Sequence, residues 1–276
     1  MSTVPETTEM TSAQVLGVLT AVRERGPLVH CLTNIVVANF TANVLLAVGA
    51  SPAMVENDEE SAEFAGIADA LLVNLGTLSA ERARAMRLAA ASAREHQKPW
   101  VLDPVAVGAM TFRTRLAAEL LASRPAVVRG NASEVLSLAG AAGAGRGVDS
   151  TVGAEAAVGT ARELARRTGG VVAVSGAVDQ VTDGDRVLEV RTGHALMTRV
   201  TGVGCALGAL VAACCAVEDD PLLAAVAATT VLTVAAEEAA AVSPRPGSFA
   251  VALVNALDAL DGPTLVARMQ ARAVAR

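Results

Sequence analysis

Lysine is almost missing from this chain. Lys98, in Gln97-Lys98-Pro99-Trp100, is the only one, and every other strongly basic side chain is an arginine. No Gly-x-x-x-x-Gly-Lys-Ser/Thr loop exists, and no lysine sits in the strand context of a protein kinase, so the two commonest ways of placing an ammonium on a nucleotide phosphate are excluded. A Schiff-base mechanism would rest on Lys98, which reads as the end of a surface helix. If the chain handles ATP, it does so with arginine and backbone amides. Aromatic residues make up 2% of the sequence and the net charge is −6, which argues against a nucleic-acid partner. Cys31, Cys205, Cys214 and Cys215 show no C-x-x-C or metal-finger spacing, so free thiols in a reducing cytoplasm are expected. Long apolar runs are short of membrane length. Val203 to Val217 and Leu222 to Ala236 stop at acidic residues before the roughly 20 residues a bilayer span needs, so no membrane partner is expected. Met1 to Thr11 carries acidic residues and no apolar core, so it reads as a disordered N-terminus rather than a signal peptide.

What is present is a long series of apolar runs alternating with helix-like periodic segments. Hydrophobic residues make up 53% of 276 residues, enough for a large core. Helices are expected over Ser12–Arg25, Val36–Val48, Asp58–Ala68, Ser79–Gln97, Arg113–Ala122, Asn131–Leu138 and Glu155–Thr168, with a nearly all-helical tail from Gly204. Strands are expected at Leu28–Cys31, Ser51–Val55, Ala70–Gly76, Trp100–Val105, Ala126–Gly130 and Val171–Gly176. Asp183-Gly184-Asp185 joins a hairpin of Gln180–Thr182 and Arg186–Val190. Gly140 to Gly147 is the expected flexible connection. Repeated β-α units with short links predict one α/β domain over residues 12–276, a mostly parallel sheet with helices on both faces. Ligands of such sheets bind beyond the carboxyl ends of the strands.

Those ends are chemically rich. Thr201-Gly202-Val203-Gly204-Cys205-Ala206-Leu207-Gly208-Ala209 puts glycines and a thiol at the start of an apolar helix, where free N–H groups bind anions and the helix dipole lowers a thiol pKa. A helix that merely begins with small residues remains the alternative. Asp103-Pro104 is a plain turn or a carboxylate near magnesium-bound phosphate. Asn131 and Glu134 form a capping box, or Glu134 orients metal-bound water while Arg129 pairs with phosphate oxygens. His30, His96 and His194 read as structural or surface residues, and Cys214 and Cys215 as core.

Taken together, several ordered segments resemble one family. Leu28-Val29-His30-Cys31-Leu32-Thr33-Asn34, Asn39-Phe40-Thr41-Ala42-Asn43 and Gly49-Ala50-Ser51-Pro52-Ala53-Met54 are similar to the substrate-side signature of hydroxyethylthiazole kinases. Asn74-Leu75-Gly76-Thr77-Leu78, Asp103-Pro104-Val105, Arg129-Gly130-Asn131-Ala132-Ser133-Glu134 and Pro246-Gly247-Ser248-Phe249 follow in family order. The resemblance implies a three-layer α/β/α ribokinase-like fold without a separate lid domain. It also implies ATP-dependent phosphorylation of 4-methyl-5-(2-hydroxyethyl)thiazole in thiamine biosynthesis or salvage. Met54, Gly202 and Asn34 would contact the thiazole, Arg129 and Ser175 the ATP, and Asp103 and Glu134 the Mg²⁺. Cys205 takes the place of the aspartate base of related sugar kinases. The family further implies a homotrimer with active sites between subunits, where Asn34 and Met54 face a neighbour's Cys205. Val203, where relatives usually carry Ala or Thr, and Ser175, where Thr is common, depart from the pattern without removing a required donor. The rivals are a hydroxymethylpyrimidine-type kinase, which shares the Gly-x-Gly-Cys, and a non-catalytic nucleotide sensor. Because Leu28 to Met54 separates the thiazole kinases from the pyrimidine kinases, hydroxyethylthiazole should be phosphorylated with ATP in preference to hydroxymethylpyrimidine; turnover of the pyrimidine alone overturns the assignment.

Overall fold

Strands with apolar side chains on both sides of the backbone need cover on both faces, and the computed structural model, which describes residues 10–141 and 154–274, supplies it. Among the described residues eight strands form one sheet in the order β2-β1-β3-β4-β5-β6-β7-β8. They are β1 (Leu28–Leu32), β2 (Ser51–Ala53), β3 (Ala70–Asn74), β4 (Trp100–Asp103), β5 (Val127–Asn131), β6 (Val171–Ser175), β7 (Asp179–Thr182) and β8 (Val187–Val190). Neighbours from β2 to β6 pair parallel, and the β7–β8 hairpin continues the edge antiparallel. The helices are α1 (Ser12–Arg25), α2 (Ala38–Ala47), α3 (Ser61–Ile67), α4 (Ala80–Glu95), α5 (Thr111–Leu121), α6 (Ala132–Ala141), α7 (Ala154–Thr168), α8 (Val203–Cys215), α9 (Pro221–Val242), α10 (Pro246–Ala259) and α11 (Gly262–Val274).

Alternation along each strand divides the core. Val29, Cys31, Ala70 and Leu72 pack with α1, α2, α8, α9 and α10 on one face. Leu32, Leu71, Val73 and Trp100 pack with α3 to α7 on the other. The period of two sends successive side chains to opposite layers. The expected three-layer α/β/α architecture is therefore what the chain adopts.

Local hydrogen bonds explain where elements begin and end. The Thr11 hydroxyl accepts from the Gln14 amide and opens α1 as a capping box. Met10 packs into the core, and residues 1–9 of the expected disordered N-terminus lie outside the described residues. α2 begins at Ala38, later than the pattern indicates, because the Asn34 side chain accepts from the Val36 amide and turns the chain first. α3 is likewise shortened: the Asn57 side chain accepts from the amides of Glu59 and Glu60, holding them in an Asx turn. β4 stops at Asp103 because Pro104 has no N–H to give the ladder. α6 runs to Ala141, into the expected Gly/Ala connection, and residues 142–147 of that connection lie outside the described residues.

The apolar tail packs rather than protrudes. α9 runs 22 residues through Glu237-Glu238, so it is longer than the Leu222–Ala236 run and reaches spanning length. Most of it is buried, against α1, α8 and α10. Phe249 of α10 is fully buried in the same layer. Trp100, the sole tryptophan, lies in the opposite layer with its Nε1 donating to the Ser123 carbonyl at 3.1 Å. Phe249→Ala should cost about 3–5 kcal/mol. A urea titration followed by Trp100 emission should show a lower midpoint with the slope unchanged, one transition crossing both layers.

Candidate active site

The parallel register brings polar residues from distant segments to one edge of the sheet. Asn74 at the end of β3 lies beside Asp103 at the end of β4, and Asn131 beside Ser175. Asn34 follows β1, and Met54 follows β2. Facing these ends, α8 starts after Gly202, whose φ of +98° is in the left-handed region that favours glycine. A methyl group at Gly202 would lie 3.0 Å from Val37 Cγ1 and 3.4 Å from Phe40 Cδ1, so the turn sits against the start of α2. The Ala206 amide makes a 2.8 Å bond to the Gly202 carbonyl. The amides of Val203, Gly204 and Cys205 precede that bond and form the free N-terminus of the helix. Arg129 reaches the same place: a methyl at Gly204 would lie 3.2 Å from its Nη1.

Four side chains join into one network. Asn74 Nδ2 donates to Asp103 Oδ2 at 2.7 Å. Asn34 Nδ2 donates to Asn74 Oδ1 at 3.0 Å and to Cys205 Sγ at 3.5 Å. The resemblance sets Asn34 opposite a neighbouring subunit's Cys205, whereas here Asn34 meets the Cys205 of its own chain, because β1 and β3 are adjacent and α8 lies across them. Met54 lies farther out on the β2 side, half-buried against the same apolar layer as Phe40.

Charge in this pocket is concentrated around one arginine. Burial pushes the Asp103 carboxyl up to about 7, with Arg129 opposing and Glu134 adding to the rise. Burial also raises Asp179 to about 6, against the Gly176 amide and Arg129. The expectation of a lowered Cys205 pKa is corrected. Burial first, and the Asp103 charge second, push the thiol above its ordinary value, overcoming the Asn74, Arg129 and Asn34 contributions. Cys205 is therefore a neutral thiol at neutral pH.

Beside the network opens a cavity of about 730 Å³, lined by Arg129, Ser175, Asp179, Met197, Leu207 and Leu232 among others. Arg129 Nη2 donates to Ser175 Oγ at 2.6 Å, while its buried Nε has no partner. Thr192 and Thr233 bond each other at 2.6 Å on the cavity wall. His194 has a structural role as well, its Nδ1 accepting from the Leu196 amide at 3.2 Å.

Glu134 forms the capping box that its spacing allows. Its Oε2 accepts from the Asn131 amide at 2.9 Å, and Asn131 Oδ1 accepts from the Glu134 amide at 2.9 Å. Its Oε1 accepts from Ala106, holding that residue at a left-handed φ of +58°. Each carboxylate oxygen keeps a lone pair for a further partner. The described residues contain no cluster of three or more metal-ligating side chains. Asp103 and Glu134 nonetheless suit Mg²⁺, which takes one or two carboxylates and otherwise waters and substrate phosphates. A divalent cation would relieve the repulsion between these carboxylates.

Two residues of the site carried no role in the sequence reading. Asn74 ends an otherwise apolar strand, and that lone polar residue, level with Asp103, is the available signal. Asp179 follows Ser175 by four positions on the next strand, where only the antiparallel turn brings it back to Arg129.

Comparison with known proteins identifies the family and the fold. A sequence profile of the hydroxyethylthiazole kinase family matches residues 19–262. A hydroxyethylthiazole kinase of Kineococcus radiotolerans is 64% identical over 250 residues, covering 91% of each chain. The solved structure of a hydroxyethylthiazole kinase protein from Pyrococcus horikoshii superposes with a TM-score of 0.85 at 42% identity, covering 91% of this chain and 95% of that one. A ribokinase-like superfamily protein from Enterococcus faecalis shares the fold alone, with a TM-score of 0.65 at 12% identity over 90% of this chain and 94% of that one.

The thiol assignment is directly measurable. Cys31, Cys214 and Cys215 are buried, whereas Cys205 is partly exposed. Iodoacetamide should label Cys205 alone in the native protein. Its rate should stay below that of free cysteine at neutral pH and rise only above the ordinary thiol range, since the reactive form is the thiolate. Fast labelling at neutral pH overturns the assignment.

Proposed function

This chain belongs to the hydroxyethylthiazole kinase family, and from that premise we propose that it transfers the terminal phosphoryl group of ATP to the hydroxyl of 4-methyl-5-(2-hydroxyethyl)thiazole, in thiamine biosynthesis or salvage. The observation that carries the reading is the juxtaposition at the start of α8. Free helix amides and Arg129 stand on one side of Cys205, and Asn34 touches its sulfur on the other. Phosphoryl transfer has a loose transition state, so positioning and charge neutralisation supply most of the acceleration. Arg129 and the amides of Val203, Gly204 and Cys205 neutralise the transferring phosphate, in place of the missing lysine. Ser175 holds the Arg129 guanidinium toward the nucleotide cavity. Asn34, Met54 and Gly202 form the alcohol side, with Val37 and Phe40 behind Gly202.

Asp103 and Glu134 would hold Mg²⁺ directly or through water, and the ion when bound supplies charge neutralisation on the phosphate oxygens. Cys205, a neutral thiol, orients the substrate hydroxyl, and proton removal is secondary. A homotrimer with sites near its subunit interfaces belongs to the same reading. Ile35, Val36 and Leu46 are exposed beside the alcohol side, as is Val251 of the adjacent α10, and large exposed apolar patches mark interaction surfaces. A cytoplasmic setting is supported by the four unpaired thiols.

Loss of the thiol tests the assignment. Cys205→Ala should lower kcat roughly tenfold or more without abolishing turnover. Wild-type kcat in that variant refutes the role. Cys205→Asp should match or exceed wild type if a stronger base relieves a rate-limiting proton transfer.

A further inference from the structure

Asn74 sits where the phosphate side and the alcohol side of the centre meet, and it is fully buried. The hydrogen bonds of its amide fit one orientation only. Nδ2 donates to Asp103 Oδ2 at 2.7 Å, while Oδ1 accepts from Asn34 Nδ2 and from the Gly76 amide, each at 3.0 Å. A flipped amide would point its NH₂ at two other donors and its oxygen at a carboxylate, so the three partners fix it. Asn34 is fixed in turn. Its Oδ1 accepts from the Val36 amide at 3.2 Å, which leaves the second Nδ2 hydrogen for Cys205 Sγ. Even the backbone is shaped for this pair: a methyl group at Gly76 would lie 2.6 Å from Asn34 Cβ. A buried hydrogen-bonded network of this kind rigidifies the groups that it joins.

Resting on the kinase reading above, we propose that Asn74 is a positioning residue of the transfer reaction, its amide tying the Asp103 carboxylate to Asn34 and through Asn34 to Cys205. The two substrates are then held against one frame, and the acceptor hydroxyl is kept in line with the phosphate. Asn74 touches neither substrate. Its work is to stop the alcohol-side groups from drifting relative to the phosphate-side carboxylate. Drift admits a different acceptor: water attacks the terminal phosphorus in place of the alcohol, the bond to the ADP oxygen breaks, and ADP and inorganic phosphate leave without phosphorylated thiazole.

The test counts both products. With wild type, ADP and phosphorylated thiazole should form in equal amounts. In Asn74→Ala, kcat should fall roughly tenfold or more, as misplacement of reacting groups does. KM for ATP should stay close to wild type, and ADP should exceed phosphorylated thiazole. Asn74→Leu is near-isosteric and removes the amide that joins Asp103 to Asn34 without adding a charge, so it serves if the alanine variant does not fold. It too should release excess ADP. The Asn74→Ala effect should shrink in an Asn34→Ala background, because the route through Asn34 is already cut. A variant that is merely less stable would lose both products in proportion. Equal amounts of ADP and phosphorylated thiazole in a folded variant therefore overturn the proposal, whatever its melting temperature. If wild type phosphorylates no thiazole alcohol, the kinase reading fails instead.

Discussion

A sheet buried on both faces has little room for polar side chains except at its ends, and the rest of this protein follows from that constraint. β3, β4 and β6 are apolar until they stop at Asn74, Asp103 and Ser175, and β5 turns polar in its second half with Arg129 and Asn131. Parallel pairing then aligns those stops along one edge, so polar groups from segments far apart in the chain become neighbours without any of them being a local motif. The same constraint explains the alanine-rich α8 and α9, whose small side chains let helices lie close on the sheet. Gly208 shows how close. A methyl there would stand 3.0 Å from Leu72 Cδ1 on the strand beneath.

Electrostatics at the edge comes from burial rather than from an abundance of charge. Asp103 and Asp179 both carry raised pKa values, and in both cases loss of water is the leading cause and Arg129 the opposing charge. Arg129 thus serves two carboxylates while it reaches toward the helix amides. A guanidinium suits this position better than an ammonium, because its planar fork offers several donors from one fixed charge. The unpartnered Nε and the Nη2 bond to Ser175 show that fork only partly engaged with protein groups. The thiol follows the same logic in reverse. Desolvation and a neighbouring carboxylate keep Cys205 protonated, which suits a residue that orients a hydroxyl close to phosphates.

Much of this was legible in the chain. The run Ala70-Leu71-Leu72-Val73 reads as a strand buried on both faces, and the boundaries of α1 stand where Thr11 and Gly26 put them. The two helices that begin later than their apolar pattern, α2 and α3, do so for one reason. Asn34 and Asn57 use their side chains to bond nearby amides, and that competition is invisible to apolar periodicity. The spacing of Asn131 and Glu134 announces a capping box, which forms, yet the spacing says nothing of the third bond, from Ala106. The Cys205 thiol departs from the helix-terminus expectation for a related reason, since a helix terminus is a local feature and burial is not.

The sequence by itself determined the layers, the polar strand ends, the glycine-bounded start of α8 and, through the ordered segments from Leu28 to Phe249, the family. Those are properties of short stretches: apolar period, missing N–H groups, side chains small enough for a turn. Tertiary structure alone decided which polar residues touch. Asn34 meets Asn74 because β1 and β3 pair, Asn74 meets Asp103 because β3 and β4 share a register, and Cys205 joins them because α8 lies across those strands. The protonation of Cys205 and Asp103 was decided there as well, because desolvation belongs to the packed molecule and not to any segment of it.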